Sequence, residues 1–302
     1  MNSDRLFGAQ SKLKLKSLLL LLSLVSLLDI MPTISADSSV WKITSGENTV
    51  YLGGTVHLLR PSDYPLPEEY EQAYQESAVL VFETDISSMN DLSIQAETLQ
   101  QLTYTDGQSL DTVLNDEAYN ALSEYIATIG IPMAMIEQFK PGMIISMLQL
   151  LEFQKIGFTP QGVDAYFNIR AMSDGKTLEE LESVEEQIGF LAAMGEGNEN
   201  EFILLSLSDL DETAEVMEDM IFAWRTGDNE KLSEMFVADM LNEAPELYES
   251  LLRGRNLNWI PQIDKMLADE DVEFVLVGAA HLVGNDGLLE LLKARGYKVS
   301  QL

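Results

Sequence analysis

Two histidines occur in the 302 residues, and each closes the same short motif, Gly-x-x-His, directly after an apolar, β-branched run. His57 ends the stretch Thr49–His57, and His281 ends the distant stretch Phe274–His281. Apolar runs of this length bounded by glycine predict buried strands, so both imidazoles are expected at strand ends, where open α/β sheets build their sites. Neutral imidazole is the commonest side-chain ligand of divalent metals and a general base near neutral pH. The pair therefore predicts a metal or acid–base site.

Each histidine has a second interpretation, that of a core residue whose ring bonds to a backbone carbonyl. A single Gly-x-x-His motif does not separate the two interpretations, because the motif is short and common. The repetition of both the strand and the glycine three residues ahead of the histidine favours a site shared by the two ends of the chain.

Two histidines are an incomplete set of ligands, since zinc and manganese sites normally add a carboxylate and water. Glu83 is the first candidate, because it follows a predicted strand at 78–82 that the sequence places beside the strand of His57. There it could bind a metal or act as a general base. It could equally be an exposed acid at a strand end or a helix cap.

Glu182 and Asp164 are weaker candidates, either supporting residues of the site or purely structural acids. Glu182 follows a short predicted strand at 176–181, and Asp164 lies in a turn that enters a helix. Ser183 and Glu186 have the spacing of a capping box, which gives Glu186 a structural role and leaves Glu182 as the freer carboxylate.

Arg255 and Asn256 lie just ahead of the second histidine motif. An arginine there could clamp a substrate carboxylate or stabilise a developing oxyanion. In a chain with so many acidic residues, a structural salt bridge is the alternative. Asn256 is a possible supporting residue of the same site.

The elements that must position these residues alternate in type. Val40–Thr44 and Val50–Thr55 predict a β-hairpin, a helix opens at Pro67, and the strand at 78–82 completes a crossover that makes its strands parallel. Residues 88–174 have a helical pattern, and residues 273–301 read as strand, helix and strand. The prediction is an α/β fold with a central, mainly parallel sheet, flanking helices, a large helical middle insertion, and adjacent N- and C-terminal strand-GxxH modules.

Two parts of the helical middle carry further predictions. Residues 141–156 are apolar nearly all round, which indicates either core packing or a groove for an apolar partner. Residues 196–270 predict acidic amphipathic helices with breaks near Gly227 and Gly254, whose charges form a solvated face.

Composition excludes several classes of protein. The formal charge is −32, from 18 basic and 50 acidic residues, so nucleic acid and anionic membrane surfaces are not expected partners. The chain has no cysteine, which removes disulfides, thiolate metal sites and a cysteine nucleophile. It also lacks a Gly-x-Ser-x-Gly elbow, a Walker loop, Gly-x-Gly-x-x-Gly and His-Glu-x-x-His.

Residues 1–36 predict a signal peptide or, if uncleaved, an N-terminal anchor. Three lysines (Lys12, Lys14 and Lys16) precede an apolar segment at 17–28, and small residues follow at 32–36. The expectation is an exported protein, periplasmic or extracellular, that meets a membrane only through this leader. Residues 37–302 are then a single domain.

Together these residues resemble the TraB/PrgY/GumN family, which includes the Tiki proteins. The matching stretches cover about residues 40–302, and they are Leu52-Gly-Gly-Thr-Val-His57, Glu83-Thr-Asp85, Gly162-Val-Asp164, Leu181-Glu182 with Gln187, Arg255-Asn256 with Trp259, and Val277-Gly-Ala-Ala-His-Leu-Val-Gly284 with Gly287 and Gly296-Tyr297. The resemblance implies a central sheet flanked by helices, related to erythromycin-esterase-like and haem-binding ChaN-like proteins. It also implies a metal-dependent protease that uses manganese or cobalt at the two Gly-x-x-His motifs.

The expected function is an exported metal-dependent hydrolase, protease-like, acting on a peptide or a small amide or ester. The metal (Mn, Co or Zn) would be held by His57, His281 and Glu83, with Glu83 and Arg255 catalytic. Asp164, Glu182 and Asn256 would support that site. The alternatives are a binding protein for haem or a peptide signal without turnover, and a regulator that binds a partner through the apolar helix at 141–156.

Overall fold

The computed structural model describes residues 38–105, 107–210 and 213–302, and a six-stranded sheet organises them. The sheet order is β4-β3-β5-β2-β1-β6. Strands β2, β3, β4 and β5 are parallel, and β1 runs antiparallel to both of its neighbours. The strands are β1 Val40–Ser45, β2 Asn48–Thr55, β3 Val79–Phe82, β4 Thr177–Glu180, β5 Glu273–Gly278 and β6 Lys298–Gln301. This mixed, mostly parallel sheet with many helices confirms the predicted α/β class.

Apart from the tight turn between β1 and β2, helices fill the connections between the strands and account for most of the chain between β3 and β5. The α-helices are α1 Glu68–Glu76, α2 Leu92–Gln101, α3 Leu110–Val113, α4 Asp116–Thr128, α5 Pro141–Lys155, α6 Val163–Asp174, α7 Val184–Ala193, α8 Glu199–Asp209, α9 Thr213–Arg225, α10 Asn229–Ser233, α11 Asp239–Glu243, α12 Pro245–Tyr248, α13 Gly254–Met266, α14 Ala279–Leu282 and α15 Leu288–Ala294. Two π-helical turns, Glu234–Ala238 and Glu249–Arg253, interrupt the later helices.

The predicted hairpin is confirmed, and its turn explains the local sequence. Gly46 has a φ of +63°, a left-handed conformation that glycine adopts at little cost. The strands β1 and β2 then pair in register from Val40 opposite Gly53 to Ser45 opposite Asn48. Gly53 is also required by packing, because a Cβ there would lie 2.7 Å from the ring of Phe274 on the neighbouring strand.

The strand order corrects one prediction that bears on the site. Glu83 was expected on the strand next to that of His57, but β5 lies between β2 and β3 and pairs in parallel with both. The connection through α1 places β3 two positions away from β2 in the sheet, and β5 from the C-terminal part of the chain lies between them. Glu83 therefore ends the strand beside the one that presents His281.

The packing divides into two hydrophobic cores among the described residues. One surrounds the sheet, and the other lies within the helical middle. Helix α5 contributes Ile144, Ile145 and Leu148 to the second core, as the core-packing interpretation of residues 141–156 predicts. Apolar residues all round this helix are explained by its burial between other helices.

Of the two predicted helix breaks, the one at Gly227 is correct and the one at Gly254 is wrong. Gly227 has a φ of +60° and lies between α9, which ends at Arg225, and α10, which begins at Asn229. Gly254 instead begins α13 directly after the π-helical turn Glu249–Arg253, with helical dihedrals throughout. A Cβ at Gly254 would lie 2.9 Å from the Glu249 carbonyl oxygen, so glycine accommodates the wide turn.

The predicted leader at 1–36 lies outside the described residues. Within the described part of the chain, no helix is both long enough and apolar enough to cross a membrane.

Candidate functional site

The carboxyl ends of the parallel strands meet at one edge of the sheet, and each is followed by an ionisable residue within three positions. In open α/β sheets this edge is where ligands bind. Two of these residues are acids and two are the histidines of the repeated motif. In sheet order from β4 to β2 they are Glu182, Glu83, His281 and His57.

Glu83 is buried and accepts three hydrogen bonds. Its Oε1 accepts from the Gly278 backbone N–H at 2.7 Å, and its Oε2 accepts from Arg255 at 2.6 Å and from the Gln187 amide at 3.2 Å. Burial alone would raise the pKa of this carboxyl, but the positive charges of Arg255 and His57, with the Gly278 backbone N–H, lower it overall. Glu83 is therefore held as a carboxylate.

Arg255 joins three of the four strand ends. Its Nε and Nη2 donate to the two oxygens of Glu182 at 3.1 and 2.7 Å, and Nη2 also donates to Glu83. Its Nη1 lies 3.1 Å from Nε2 of His281. The guanidinium lies 4.8 Å from the Trp259 ring centroid, and it is only 8% exposed. Glu182, expected to be freer than the capping residue Glu186, forms a two-pronged ion pair with Arg255, which is the structural salt bridge considered as the alternative for this arginine.

The hydrogen bonds of His281 determine its tautomer. A guanidinium can only donate, so Nε2 of His281 accepts from Arg255 and the ring proton lies on Nδ1. That Nδ1–H donates to Oδ1 of Asn256 at 2.7 Å. Asn256 is fixed in turn, because its Nδ2 donates to the backbone carbonyls of His281 and Asp286 at 3.1 and 2.8 Å. Burial, with Arg255 close by, lowers the pKa of His281 well below its ordinary value, so the ring is neutral.

His57 lies in a different environment, with 65% of its side chain exposed. Its Nδ1 lies 3.0 Å from Oδ1 of Asp164 at the first turn of α6. The Asp164 carboxylate raises the pKa of His57 to about 9, so this imidazole is protonated at neutral pH.

Gly162 allows Asp164 to reach His57. The first residue of α6, Val163, donates its N–H to the Val56 carbonyl at 3.0 Å, which brings the start of the helix onto the segment after β2. A Cβ at Gly162 would overlap the backbone carbonyls of Val56 and His57. Glycine is therefore required by this close approach.

A cavity of about 570 Å³ opens at this edge of the sheet. Its polar lining residues include His57, Glu83, Asp164, Gln187 and Arg255. The remaining walls are mainly apolar, and they include residues of α7 and of the loop after β3. His281 is buried, and it is linked to the residues of this cavity through its contacts with Arg255 and Glu83.

Comparison with known families agrees with this architecture. The model of the TraB/PrgY/gumN family matches residues 39–301. The chain belongs to the TraB/PrgY/gumN family. No curated protein and no solved structure gave a significant match. In this TraB/PrgY/gumN member the matched region contains every residue of the site described above.

The structure brings the predicted residues of this TraB/PrgY/gumN member together in two groups at one cavity. One is Glu83, Glu182, Arg255, Asn256 and His281, joined by hydrogen bonds, and the other is His57 with Asp164. Gln187 was not assigned a role from sequence, although it bonds to Glu83. The capping box, which is confirmed, locates the start of α7, but it does not say which side chains of that helix face the site.

Whether these residues suit a divalent metal can be judged from their donor atoms. Both imidazoles are held through Nδ1, which leaves Nε2 as the ligating atom, and this is the usual arrangement of a metal-binding histidine. Glu83 adds a carboxylate 3.9 Å from Nε2 of His281. Within the described residues, no group of three or more such side chains is already arranged around a metal position. The residue types fit, and a metal at His281 requires Arg255 to leave Nε2.

Proposed function

We propose that this protein is a metal-dependent hydrolase, protease-like, that cleaves a peptide or another amide or ester. The observation that carries the proposal is the meeting of two histidines, each oriented through Nδ1, with a buried carboxylate and a guanidinium at one edge of the sheet. An arrangement of a base, a charged donor and oriented imidazoles beside a cavity is typical of acyl-transfer sites.

The metal would be held by His57, His281 and Glu83. When bound, a divalent ion supplies a water of lowered pKa and polarises a carbonyl. Because His57 is protonated in the free protein, its use as a ligand must release that proton, and metal affinity should rise with pH.

The chain's own residues have separate tasks in this proposal. Glu83, kept ionised by Arg255 and by the Gly278 N–H, accepts a proton from the attacking water. Arg255, whose N–H groups are bonded within the protein, contributes the positive charge that can stabilise negative charge developing on the substrate. Asp164 and Asn256 hold the rings of His57 and His281, and Glu182 fixes Arg255.

Export completes the proposal, since the leader predicted at 1–36 is followed by an acidic, cysteine-free domain that suits a periplasmic or extracellular setting. It is checked by N-terminal sequencing of the protein recovered outside the cytoplasm of its host. A protein that starts at Met1 and stays in the cytoplasm contradicts it.

The experiment that tests the function combines metal binding with cleavage. Chelated protein is titrated calorimetrically with MnCl₂, CoCl₂ and ZnCl₂, and a mixture of synthetic peptides is analysed by mass spectrometry with and without each metal. We expect binding to weaken at least tenfold in His57→Ala, His281→Ala and Glu83→Gln, and cleavage to be lost with it. Glu290→Gln, an exposed carboxylate on α15, is the matched control. Failure of the wild-type protein to bind any of the metals refutes metal dependence.

A second candidate is a binding protein for haem or a peptide signal, favoured by the exposed imidazole of His57 beside apolar cavity walls. Added haem should then give an intense shifted absorption band that disappears in His57→Ala. If peptide cleavage returns when metal is added to the chelated protein, and haem gives no such band, the hydrolase is supported.

A further inference from the structure

The side chains of α7 that line the cavity change from polar to apolar along the helix. It begins with Gln187, which bonds to Glu83, and it continues with Phe190, Leu191 and Met194. The spacing of i, i+3, i+4 and i+7 places these residues on one side of the helix and its C-cap. A polar contact to the catalytic carboxylate is therefore followed on the same face by apolar side chains alone.

These apolar side chains lie outside the two hydrophobic cores. Val184 is the buried residue of α7, and Ile188, Phe190, Leu191 and Met194 are only half-buried. Within the described part of the chain, these four belong to neither of the two hydrophobic cores. A cluster of large apolar side chains that lines a cavity without joining a core is the usual sign of a ligand site.

The segment that follows β3 adds further apolar side chains to the cavity lining. Ile86 and Met89, in the segment that follows β3, line the same cavity, and Met89 is 37% exposed. The cavity thus combines reactive groups with apolar side chains from two segments, α7 and the segment after β3.

The helix holding this wall is anchored to its neighbours. Ser183 and Glu186 cap its N-terminus reciprocally, and Gly142 of α5 packs so closely that a Cβ there would overlap the Leu191 carbonyl oxygen. The apolar wall is therefore positioned before any ligand arrives, which reduces the entropy cost of binding.

We infer that Ile188, Leu191 and Met194 of α7, with Met89 of the segment after β3, form a subsite for a bulky aliphatic or aromatic side chain of a peptide. The choice of a peptide rests on the proposed function. From Gln187 to Met194 the helix rises about 10 Å, a length that matches about three residues of an extended chain. Fatty acids and other anionic amphiphiles are disfavoured, because the chain carries a formal charge of −32.

The test measures binding without requiring turnover. Nile red, a neutral dye that fluoresces in apolar surroundings, is titrated into the full chain. Acetyl-trileucine amide and acetyl-triserine amide are then compared as competitors. We expect only the trileucine amide to displace the dye. Leu191→Asn and Met89→Asn should each weaken dye binding roughly tenfold.

Leu92→Asn is the matched control, because Leu92 is 81% exposed on α2 and does not line the cavity. Unchanged circular dichroism and urea midpoints confirm that the variants fold. Because the two substitutions lie in different segments, the test can still be made if one of the variants does not fold. Wild-type affinity in both wall variants, or equal displacement by the two amides, overturns the subsite. Dye displacement without cleavage of any peptide leaves the subsite standing and counts against the hydrolase alone.

Discussion

Nη1 of Arg255 lies 3.1 Å from Nε2 of His281, so the atom by which this histidine would ligate a metal is occupied by a side chain of the same protein. The same guanidinium is bound to Glu83, the nearest carboxylate. Arg255 thus supplies positive charge where a metal bound to both residues would supply it. Arg255 and a metal would compete for Nε2 of His281 and for the Glu83 carboxylate. The protonation state and tautomer of His281 therefore characterise the metal-free protein.

His281 should remain neutral in metal-free protein across the range from pH 5 to pH 9. Burial is the main cause, and it lowers the pKa of the ring to about 3. Because the chain has two histidines, ¹⁵N-histidine NMR resolves each ring directly. The spectrum should show the Nδ1–H tautomer. Asn256→Asp should raise the pKa of His281 by placing a carboxylate beside Nδ1. An Nε2–H tautomer in the wild-type protein contradicts the hydrogen-bond assignment.

His57 should titrate in the same spectra near pH 9, and Asp164→Asn should return its pKa toward the ordinary value of about 6.5. A histidine whose pKa is raised by folding adds stability that is present below the unfolded pKa and is lost as pH rises through the folded one. Asp164→Asn should therefore destabilise the protein at pH 6 more than at pH 10, as measured by urea unfolding. Equal losses of unfolding free energy at both pH values would show that His57 and Asp164 do not interact through their charges.

Arg255→Met should destabilise the fold by roughly 3–5 kcal/mol, because it leaves the buried carboxylates of Glu83 and Glu182 without their partner. Urea unfolding at pH 7 measures this directly. Arg253→Met, two residues earlier, is the control, since Arg253 pairs with Glu249 on the exposed side of the helix. That substitution should change the unfolding midpoint little. Similar effects from both substitutions contradict a special role for the buried pair.

Gly162→Ala should destabilise the protein by about 2 kcal/mol or more and lower the pKa of His57. The added methyl overlaps the carbonyls of Val56 and His57, so α6 must move away and take Asp164 with it. Gly189→Ala is the matched control, because its Cβ would meet only the Gln101 side chain at 3.9 Å. On helix α7 that change should stabilise by about 0.5–1 kcal/mol. Thermal unfolding measures the stability of both variants, and NMR measures the pKa of His57. Equal stability changes in the two variants, or an unchanged pKa in Gly162→Ala, contradict this prediction.

Glu273→Gln should stabilise the protein at pH 8 and have little effect at pH 4. Burial is the largest cause that raises the pKa of Glu273 to about 7, and the acids Asp269, Asp271 and Glu179 add to it. Its Oε2 is buried without a hydrogen-bond partner. An acid whose pKa is raised by folding destabilises the fold as pH rises from about 4.5 to 7. The expected gain at pH 8 is roughly 1–2 kcal/mol after screening. Urea unfolding of both proteins at pH 4 and pH 8 measures the gain. If the difference in unfolding free energy is the same at both pH values, the raised pKa of Glu273 is not its cause.

Local features of the fold could be read from the sequence. The hairpin, the helix after Pro67, the capping box at Ser183 and the strands ahead of His57 and His281 all follow from short-range patterns. Periodicity, turn residues and caps act over a few residues, so they are visible in the chain itself. The same patterns predicted that several ionisable residues would meet at one edge of the sheet.

What the sequence alone determined is therefore the set of strands, the helices that have clear start signals, and the residue types at the strand ends. The insertion of β5 between β2 and β3, the ion pair of Glu182 and the contact of Arg255 with His281 were decided only by the tertiary structure. Glu83 and Arg255 are 172 positions apart, and no local pattern encodes their pairing. Strand order and burial arise when distant segments pack together, and that packing determines which carboxylate is free, which imidazole is charged and which apolar side chains remain for a ligand.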